Sequence, residues 1–170
     1  MGAVPVTIRT SNGTPDFAQL SVAKLPEFGP PPPAVEDLAH CLGLETADLL
    51  TGEMFPEAAS CGVPFLFVPV RNRDALARAV PRADEFERVL RKYWTADVFV
   101  FCNEPELKGS HYRARMFAPF LGVAEDPATG SACAAFAGYL GKRDASADGT
   151  LRWVVEQGFE MGRPSILERG

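Results

Sequence analysis

The sequence is poor in the residues that build metal and redox sites. It contains only two histidines, His40 and His111, and four widely spaced cysteines that form no CxxC pair. Structural zinc sites and redox pairs need closely spaced Cys and His ligands. The sequence therefore predicts no metal site, and without an export signal we expect reduced thiols in the cytoplasm.

Long apolar runs and clustered positive charge are also missing. No stretch approaches the roughly 20 apolar residues that span a membrane. The formal net charge is −5, and the one basic cluster, Arg71, Arg73 and Arg78, is interleaved with acids and predicts a solvated helix face. Nucleic-acid binding requires clustered Lys and Arg, and nucleotide binding requires a glycine-rich loop that this chain lacks. We therefore expect neither membrane, nucleic acid nor nucleotide as a partner.

The order of predicted elements indicates an α+β fold. A chain of 170 residues with 46% apolar content suits one domain or two small lobes. Strands and helices follow one another without the strict alternation of a doubly wound parallel sheet. Residue periodicity predicts strands at 4–9, 18–24, 63–70, 97–102, 111–117 and 151–156, and helices at 34–44, 74–80, 84–93 and 129–140.

Prolines interrupt this order at two places. Pro30 to Pro33 cannot pair in a sheet and form a stiff connector, which predicts a lobe boundary. Pro64 and Pro69 lie in the predicted strand 63–70 and favour an edge position or a bulge for it.

The segment Glu125-Asp126-Pro127-Ala128-Thr129-Gly130-Ser131 carries the chemistry-bearing residues. Thr129 or Ser131 can cap the following helix, and Gly130 permits a close approach to its first turn. That helix is apolar all round, which predicts burial, and the N-terminus of a buried helix favours an anion. Asp126 just ahead of it suits a general acid or base. The alternative is structural: Asp126 only caps the helix and Gly130 only turns the chain.

Three motifs in order carry a family resemblance. They are RMFAPFLGVAEDPATGSACAAFAGYL, the run Ser60-Cys61-Gly62-Val63-Pro64-Phe65, and Glu156-Gln157-Gly158 followed by Met161-Gly162-Arg163-Pro164-Ser165. From about Val4 to its end, the sequence resembles the phenazine-biosynthesis (PhzF-like) isomerases of the diaminopimelate epimerase superfamily. The resemblance implies two lobes, each a curved mixed sheet around a central helix, with the active site in the cleft between them.

The same resemblance implies a function for the segment around Asp126. Such isomerases move a proton on a small carboxylate-bearing substrate without metal or organic cofactor. Asp126 would orient or relay the proton, while Thr129, Gly130 and Ser131 would bind the substrate. Residues 129–140 would form the central helix of the second lobe.

The chain also departs from the family pattern. No segment matches the family's first-lobe glutamate or its His-containing glycine motif, and the family's last strand finds no match. We therefore expect residues 1–28 to be residual strands of the first lobe and 34–170 to be the second lobe. Such a chain would be inactive alone, and its exposed cleft would favour a homo-oligomer. The alternative function is a non-catalytic small-anion binder that acts through self-association.

Other candidates are weaker. Cys61 and Cys133 suggest paired-cysteine chemistry, but neither has a neighbouring base, and Cys133 is predicted to be a core thiol. His111, Arg113 and Arg115 alternate along a strand and either face solvent or attract a carboxylate. Glu125, next to Asp126, is expected to point elsewhere. Gln157 and Gly158 are predicted to be structural, with Arg163 a candidate clamp for a carboxylate or the backbone.

Overall fold

The first two strands form a hairpin outside the main sheet. In the computed structural model, which describes residues 5–22, 24–144 and 151–169, β1 (Val6–Ser11) pairs antiparallel with β2 (Thr14–Leu20). The turn uses Asn12 and Gly13, both at positive φ. The hairpin lies where the sequence predicts it, although residues 4 and 23 of the predicted strands are outside the described residues.

The remaining strands form one mixed sheet. Its order is β10-β9-β7-β6-β5-β4-β3, and β8 lies beside β7. The β5–β6 and β7–β9 pairs are parallel and the others antiparallel. The strands are β3 (Glu27–Phe28), β4 (Glu57–Ser60), β5 (Pro64–Pro69), β6 (Val98–Cys102), β7 (Tyr112–Ala118), β8 (Val123–Asp126), β9 (Trp153–Gln157) and β10 (Ser165–Arg169). The α+β fold class is confirmed.

Helices cover both faces of this sheet. On one face α1 (Val35–Cys41), α2 (Arg73–Arg78) and α3 (Ala83–Leu90) pack over the sheet; on the other lies α4 (Gly130–Gly141). Alternate residues of a strand point to opposite faces, so the two central strands serve both cores. The core between the sheet and helices α1, α2 and α3 (the α1–α3 core) contains Leu66, Val68, Val98 and Val100. The core between the sheet and α4 (the α4 core) contains Phe65, Phe67, Phe99 and Phe101.

The expectation that residues 63–70 form an edge strand or a bulge is wrong. β5 lies inside the sheet between β4 and β6. Its prolines are its first and last residues, Pro64 and Pro69, so the residues between them keep their N–H groups for pairing. Because these side chains are buried on both faces, the strand is a continuous apolar run.

Four short strands were not expected from the sequence: β3, β4, β8 and β10. β10 follows the segment predicted to hold the last strand and pairs with β9. β3 pairs with β4 and so belongs to the large sheet, whereas the hairpin does not. The division into residues 1–28 and 34–170 stays a prediction. Within the described residues, no helix has both the length and the apolar character needed to cross a membrane.

Candidate active site

Strand β7 brings the ends of two other strands together. On one side it pairs along its length with β6, so β8 and β9 share its other side. β9 ends at Gln157, opposite Ala114, and β8 ends at Asp126, opposite Met116. Only Arg115 separates Ala114 from Met116. The last residues of β8 and β9 therefore meet at one point beside the N-terminus of α4.

The two acidic residues at the end of β8 point to opposite faces of the sheet. Asp126 is opposite Met116, a member of the α4 core, so its side chain lies on that face. Glu125 points to the other face, where Arg115 donates to it from Nε at 2.9 Å and Nη2 at 2.8 Å. The expectation that Glu125 points away from Asp126 is confirmed.

A buried amide connects Asp126 to the helix. The side chain of Gln157 is fully buried and donates from Nε2 to the Asp126 carbonyl oxygen at 2.6 Å and to Thr129 Oγ1 at 2.9 Å. Its Oε1 accepts the Thr129 N–H at 3.1 Å. The Thr129 hydroxyl in turn donates to Asp126 Oδ2 at 2.6 Å. Gln157, Thr129 and Asp126 thus form one connected set of hydrogen bonds.

Helix α4 begins beside this set but has no side-chain cap. Thr129 occupies the N-cap position and its carbonyl accepts the Cys133 N–H, yet its hydroxyl makes no capping bond because it binds Asp126. The predicted cap by Thr129 is therefore wrong. Ser131, the other predicted cap, lies inside the first turn of the helix and is exposed. The predicted burial of the helix is confirmed by Ala132, Ala135 and Phe136, each at most 1% exposed.

A glycine fixes the loop that leads into the helix. Gly158 has φ of 79° and lies against Pro127. A Cβ at residue 158 would lie 2.7 Å from the Pro127 carbonyl oxygen and would also overlap the Arg163 carbonyl oxygen. Gln157 and Gly158 therefore hold the segment from Asp126 to Thr129 by hydrogen bonding and by close packing. Arg163, the candidate clamp, is exposed.

The arginines of β7 are buried and bind carboxylates of this chain. Arg113 is 6% exposed and binds Glu156 at 3.3 Å and Glu160 at 2.9 Å, with the Phe159 ring 4.0 Å from its guanidinium. Arg115 is 8% exposed and binds Glu125. The expectation that these arginines face solvent is wrong, because β7 is an interior strand whose polar face lies under other elements. Attraction of a substrate carboxylate stays a prediction. His111 is exposed and accepts the Val154 N–H at 3.0 Å.

The partner of Arg113, Glu156, is fully buried and receives the N–H groups of Glu106 at 2.8 Å and Leu107 at 2.6 Å. Burial alone would raise the pKa of Glu156. These N–H donors and Arg113 outweigh burial and hold that pKa below its usual range. Glu156 is therefore a structural carboxylate that binds Arg113 and two backbone N–H groups.

The four cysteines are free thiols, and the two candidates for paired chemistry differ in exposure. Cys133 is 1% exposed inside the α4 core, while Cys61 is half-buried with its Sγ 3.6 Å from the Ala134 carbonyl oxygen. The predicted core position of Cys133 is confirmed. The described ranges contain no group of His, Cys, Asp or Glu side chains arranged to hold a metal ion.

The structure thus brings three predicted residues, Asp126, Thr129 and Gly130, to one point, with Ser131 one residue further along α4. Their roles in binding and proton transfer stay predictions. The sequence predicts a structural role for Gln157 but not its hydrogen bonds to this segment. The motif Glu156-Gln157-Gly158 is the sequence feature that could have indicated them.

The mixed sheet around a buried helix defines an α+β protein of the phenazine-biosynthesis type. A family model described as phenazine biosynthesis-like protein (PhzC-PhzF) matches residues 1–169. The chain belongs to this family.

Individual relatives agree. The chain is 38% identical over 156 residues to an uncharacterized isomerase of Mesorhizobium japonicum, covering 89% of this chain and 51% of the relative. It is 30% identical over 175 residues to the trans-2,3-dihydro-3-hydroxyanthranilate isomerase of Pseudomonas aeruginosa, covering 98% and 54%. A PhzF-family crystal structure from Bacillus anthracis matches with a TM-score of 0.82 and 27% identity, covering 97% and 55%. The chain spans about half the length of the curated relatives it matches.

Proposed function

We propose that this chain contributes the proton-transfer half of a cytoplasmic isomerase that acts on a small carboxylate-bearing molecule without a cofactor. Asp126 exchanges the proton, and Gly130 and Ser131 bind the substrate carboxylate at the N-terminus of α4. Thr129, predicted to bind substrate as well, acts in this proposal by holding Asp126. Membership of an isomerase family supports the reaction class.

One observation carries the proposal: Asp126 is half-buried at the start of a buried apolar helix while its neighbour Glu125 is bound by Arg115. The helix N-terminus attracts an anion, because first-turn N–H groups lack intrahelical acceptors and the helix dipole is positive there. The exposed Ser131 side chain adds a hydroxyl donor. A substrate carboxylate seated there would lie beside a carboxylate able to exchange a proton.

The described part of the site offers a single carboxylate for this chemistry. Moving a proton between two positions of a substrate requires groups that remove it and return it with suitable geometry. Asp126 accepts hydrogen bonds from Thr129 and, at its carbonyl oxygen, from Gln157, and the sequence predicts no match to the family's first-lobe glutamate. We therefore expect the isolated 170-residue chain to bind the substrate carboxylate but to isomerise it at no measurable rate.

The test uses the purified chain and trans-2,3-dihydro-3-hydroxyanthranilate, the compound named for the Pseudomonas aeruginosa relative. Proton NMR in D₂O follows both isomerisation and deuterium incorporation into the compound. Amide NMR follows binding, and we expect shifts at Gly130, Ser131 and Ala132 that weaken in Ser131→Ala.

Each outcome decides one part of the proposal. Saturable shifts at the α4 N-terminus without turnover support it. Turnover that is lost in Asp126→Ala supports the role of Asp126 and contradicts the expected inactivity. Absence of binding at α4, or turnover that survives Asp126→Ala, contradicts the proposed site.

The hairpin favours a second candidate, a non-catalytic small-anion binder that acts by self-association. Val6 and Ile8 lie on the same apolar face of β1 and are 57% and 61% exposed. An isolated two-stranded hairpin is marginally stable in water, so a second copy of the chain is the proposed cover.

Light scattering tests the second candidate. We expect association that Ile8→Lys reduces, and that Thr7→Lys on the opposite face of the hairpin leaves unchanged. Strictly monomeric behaviour at all concentrations contradicts self-association.

A further inference from the structure

We infer that Gln157 is a positioning residue that determines which oxygen of Asp126 exchanges the proton. Neither the family resemblance nor the name of any relative assigns this role to Gln157. The inference rests on the proposed function, in which Asp126 exchanges the proton. Its geometric core is the chain of directed hydrogen bonds from Gln157 through Thr129 to Asp126.

The orientation of the Gln157 amide has only one consistent solution. Nε2 faces two acceptors, the Asp126 carbonyl oxygen at 2.6 Å and Thr129 Oγ1 at 2.9 Å, and Oε1 faces the Thr129 N–H donor at 3.1 Å. A flipped amide would place its oxygen against the Asp126 carbonyl and its NH₂ group against the Thr129 N–H. Both Nε2 protons are therefore committed, one to each acceptor.

This orientation determines the direction of the Thr129 hydroxyl. A hydroxyl has one proton to donate. Since Thr129 Oγ1 accepts from Gln157, its own proton is left for Asp126 Oδ2, which lies 2.6 Å away. Asp126 Oδ2 thus receives a hydrogen bond from Thr129, and the orientation of the Gln157 amide determines its direction.

The consequence is a difference between the two oxygens of one carboxylate. A proton on Asp126 Oδ2 would make that oxygen a much weaker acceptor and so weaken its hydrogen bond from the Thr129 hydroxyl. Asp126 Oδ1 carries no such conflict. A proton taken from the substrate therefore forms its O–H bond at Oδ1 and returns to the substrate from Oδ1, while Oδ2 keeps its hydrogen bond.

Burial makes this arrangement persistent. Gln157 is fully buried and Thr129 is 6% exposed, so water does not compete for their bonds. Low local polarity strengthens such a network. β7 holds both ends of it, because Ala114 pairs with Gln157 and Met116 pairs with Asp126.

The test measures the ¹³Cγ resonance of Asp126 at neutral pH in the whole chain, which reports the hydrogen bond without requiring turnover. Thr129→Val removes the hydroxyl at nearly the same volume, and Thr129→Ser keeps it. Gln157→Glu keeps the size of the side chain but replaces both donors by acceptors, so the Thr129 proton should turn from Asp126 to the introduced carboxylate.

We expect Thr129→Val and Gln157→Glu to move the Asp126 resonance in the same direction, and Thr129→Ser to leave it at its wild-type position. A residue that only fills space would not produce this pattern, because Gln157→Glu preserves the packing. Amide spectra of the β5 and β6 residues check that each variant is folded.

The inference is overturned if Gln157→Glu leaves the Asp126 resonance in place, or if Thr129→Val does. Its failure is distinguishable from failure of the proposed function. If the resonance pattern holds while the substrate carboxylate does not bind at α4, the positioning of Asp126 stands and the proposed function fails. If binding holds and the pattern does not, only the role of Gln157 fails.

Discussion

Arg115 and Glu125 are joined by two parallel hydrogen bonds of 2.9 and 2.8 Å on the α1–α3 face of the sheet. Their side chains are 10% and 14% exposed. Arg115 Nη1 also donates to the carbonyl oxygens of Leu76, Ala77 and Ala79 at the end of α2. One guanidinium therefore binds the end of α2 and holds Glu125 on the face of the sheet opposite Asp126.

We expect Arg115→Met to lower the free energy of unfolding by about 3–5 kcal/mol, because removing one partner leaves a buried carboxylate without its cation. Urea unfolding measures the change. The matched control is Arg91→Met, since Arg91 pairs with Glu87 where both side chains are more than half exposed. That control should cost at most about 1 kcal/mol. Equal losses in the two variants would contradict the structural role of the Arg115 pair.

Asp48 predicts a dependence of stability on pH. Its side chain is 1% exposed and accepts hydrogen bonds from Arg78 at 3.0 and 3.2 Å and from the Glu45 N–H at 3.1 Å, with Arg71 2.7 Å away. Hydrogen bonding from Arg78 is the largest cause that holds the pKa of Asp48 below its usual range. The stabilisation is therefore complete above the ordinary aspartate pKa of about 3.9 and is lost as pH falls through the lower folded value.

We expect Asp48→Asn to be less stable than wild type by a constant amount above about pH 5, and the difference to shrink below about pH 4. Urea unfolding at a series of pH values measures it. Asp84→Asn on the exposed start of α3 is the control and should show a small difference at every pH. A wild-type advantage over Asp48→Asn that stays constant or grows as pH falls from 5 to 2 would contradict this sign.

The long elements were predictable from the sequence because their periodicity is local. The apolar spacing of α3, the continuous apolar run of β6 and the alternation of β7 mark those elements within a few residues of their ends. β3, with two residues, and β8, with four, are too short to show a period. Their pairing depends on strands far away in the chain.

The site was predictable in part for the same reason. Asp126, Thr129 and Gly130 lie in one continuous segment and were recognised together. Arg113 looked like a solvated residue because polar residues alternating with apolar ones are typical of a solvent-facing strand. Two of its three carboxylate partners, Glu156 and Glu160, lie more than 40 residues away, so no local pattern indicated its burial.

The close packing of Gly158 against Pro127 predicts that the end of β9 holds the segment from Asp126 to Thr129 in place. We expect Gly158→Ala to lower stability by more than the ~1–2 kcal/mol that a left-handed backbone conformation costs alone. The added Cβ would overlap the carbonyl oxygens of Pro127 and Arg163. Urea unfolding measures the loss, and amide spectra should show shifts at Asp126 and Thr129.

Gly162→Ala is the matched control for that variant. Gly162 also has positive φ, 67°, but a Cβ there meets no atom within 4 Å. It should show the backbone cost alone and leave the Asp126 and Thr129 resonances in place. If both variants lose the same stability, the contact between Gly158 and Pro127 does not hold the loop.

Thiol accessibility tests the paired-cysteine alternative. Cys41, Cys102 and Cys133 are each 1% exposed, whereas Cys61 is half-buried. Burial raises the pKa of Cys41 to about 12 and also raises that of Cys102. Because the thiolate is the reacting form, we expect Ellman's reagent to modify Cys61 well before the other three in the native chain.

Cys61→Ala should remove the fast reaction, and Cys133→Ala should leave it unchanged. In denaturant all four thiols of the wild-type chain should react. Chemistry that uses two cysteines as acid and base needs both thiols to reach the substrate. Fast modification of Cys133 in the native chain would support paired-cysteine chemistry. Protection of Cys133 would instead support the proposal that Asp126 is the group at the start of α4 that exchanges a proton.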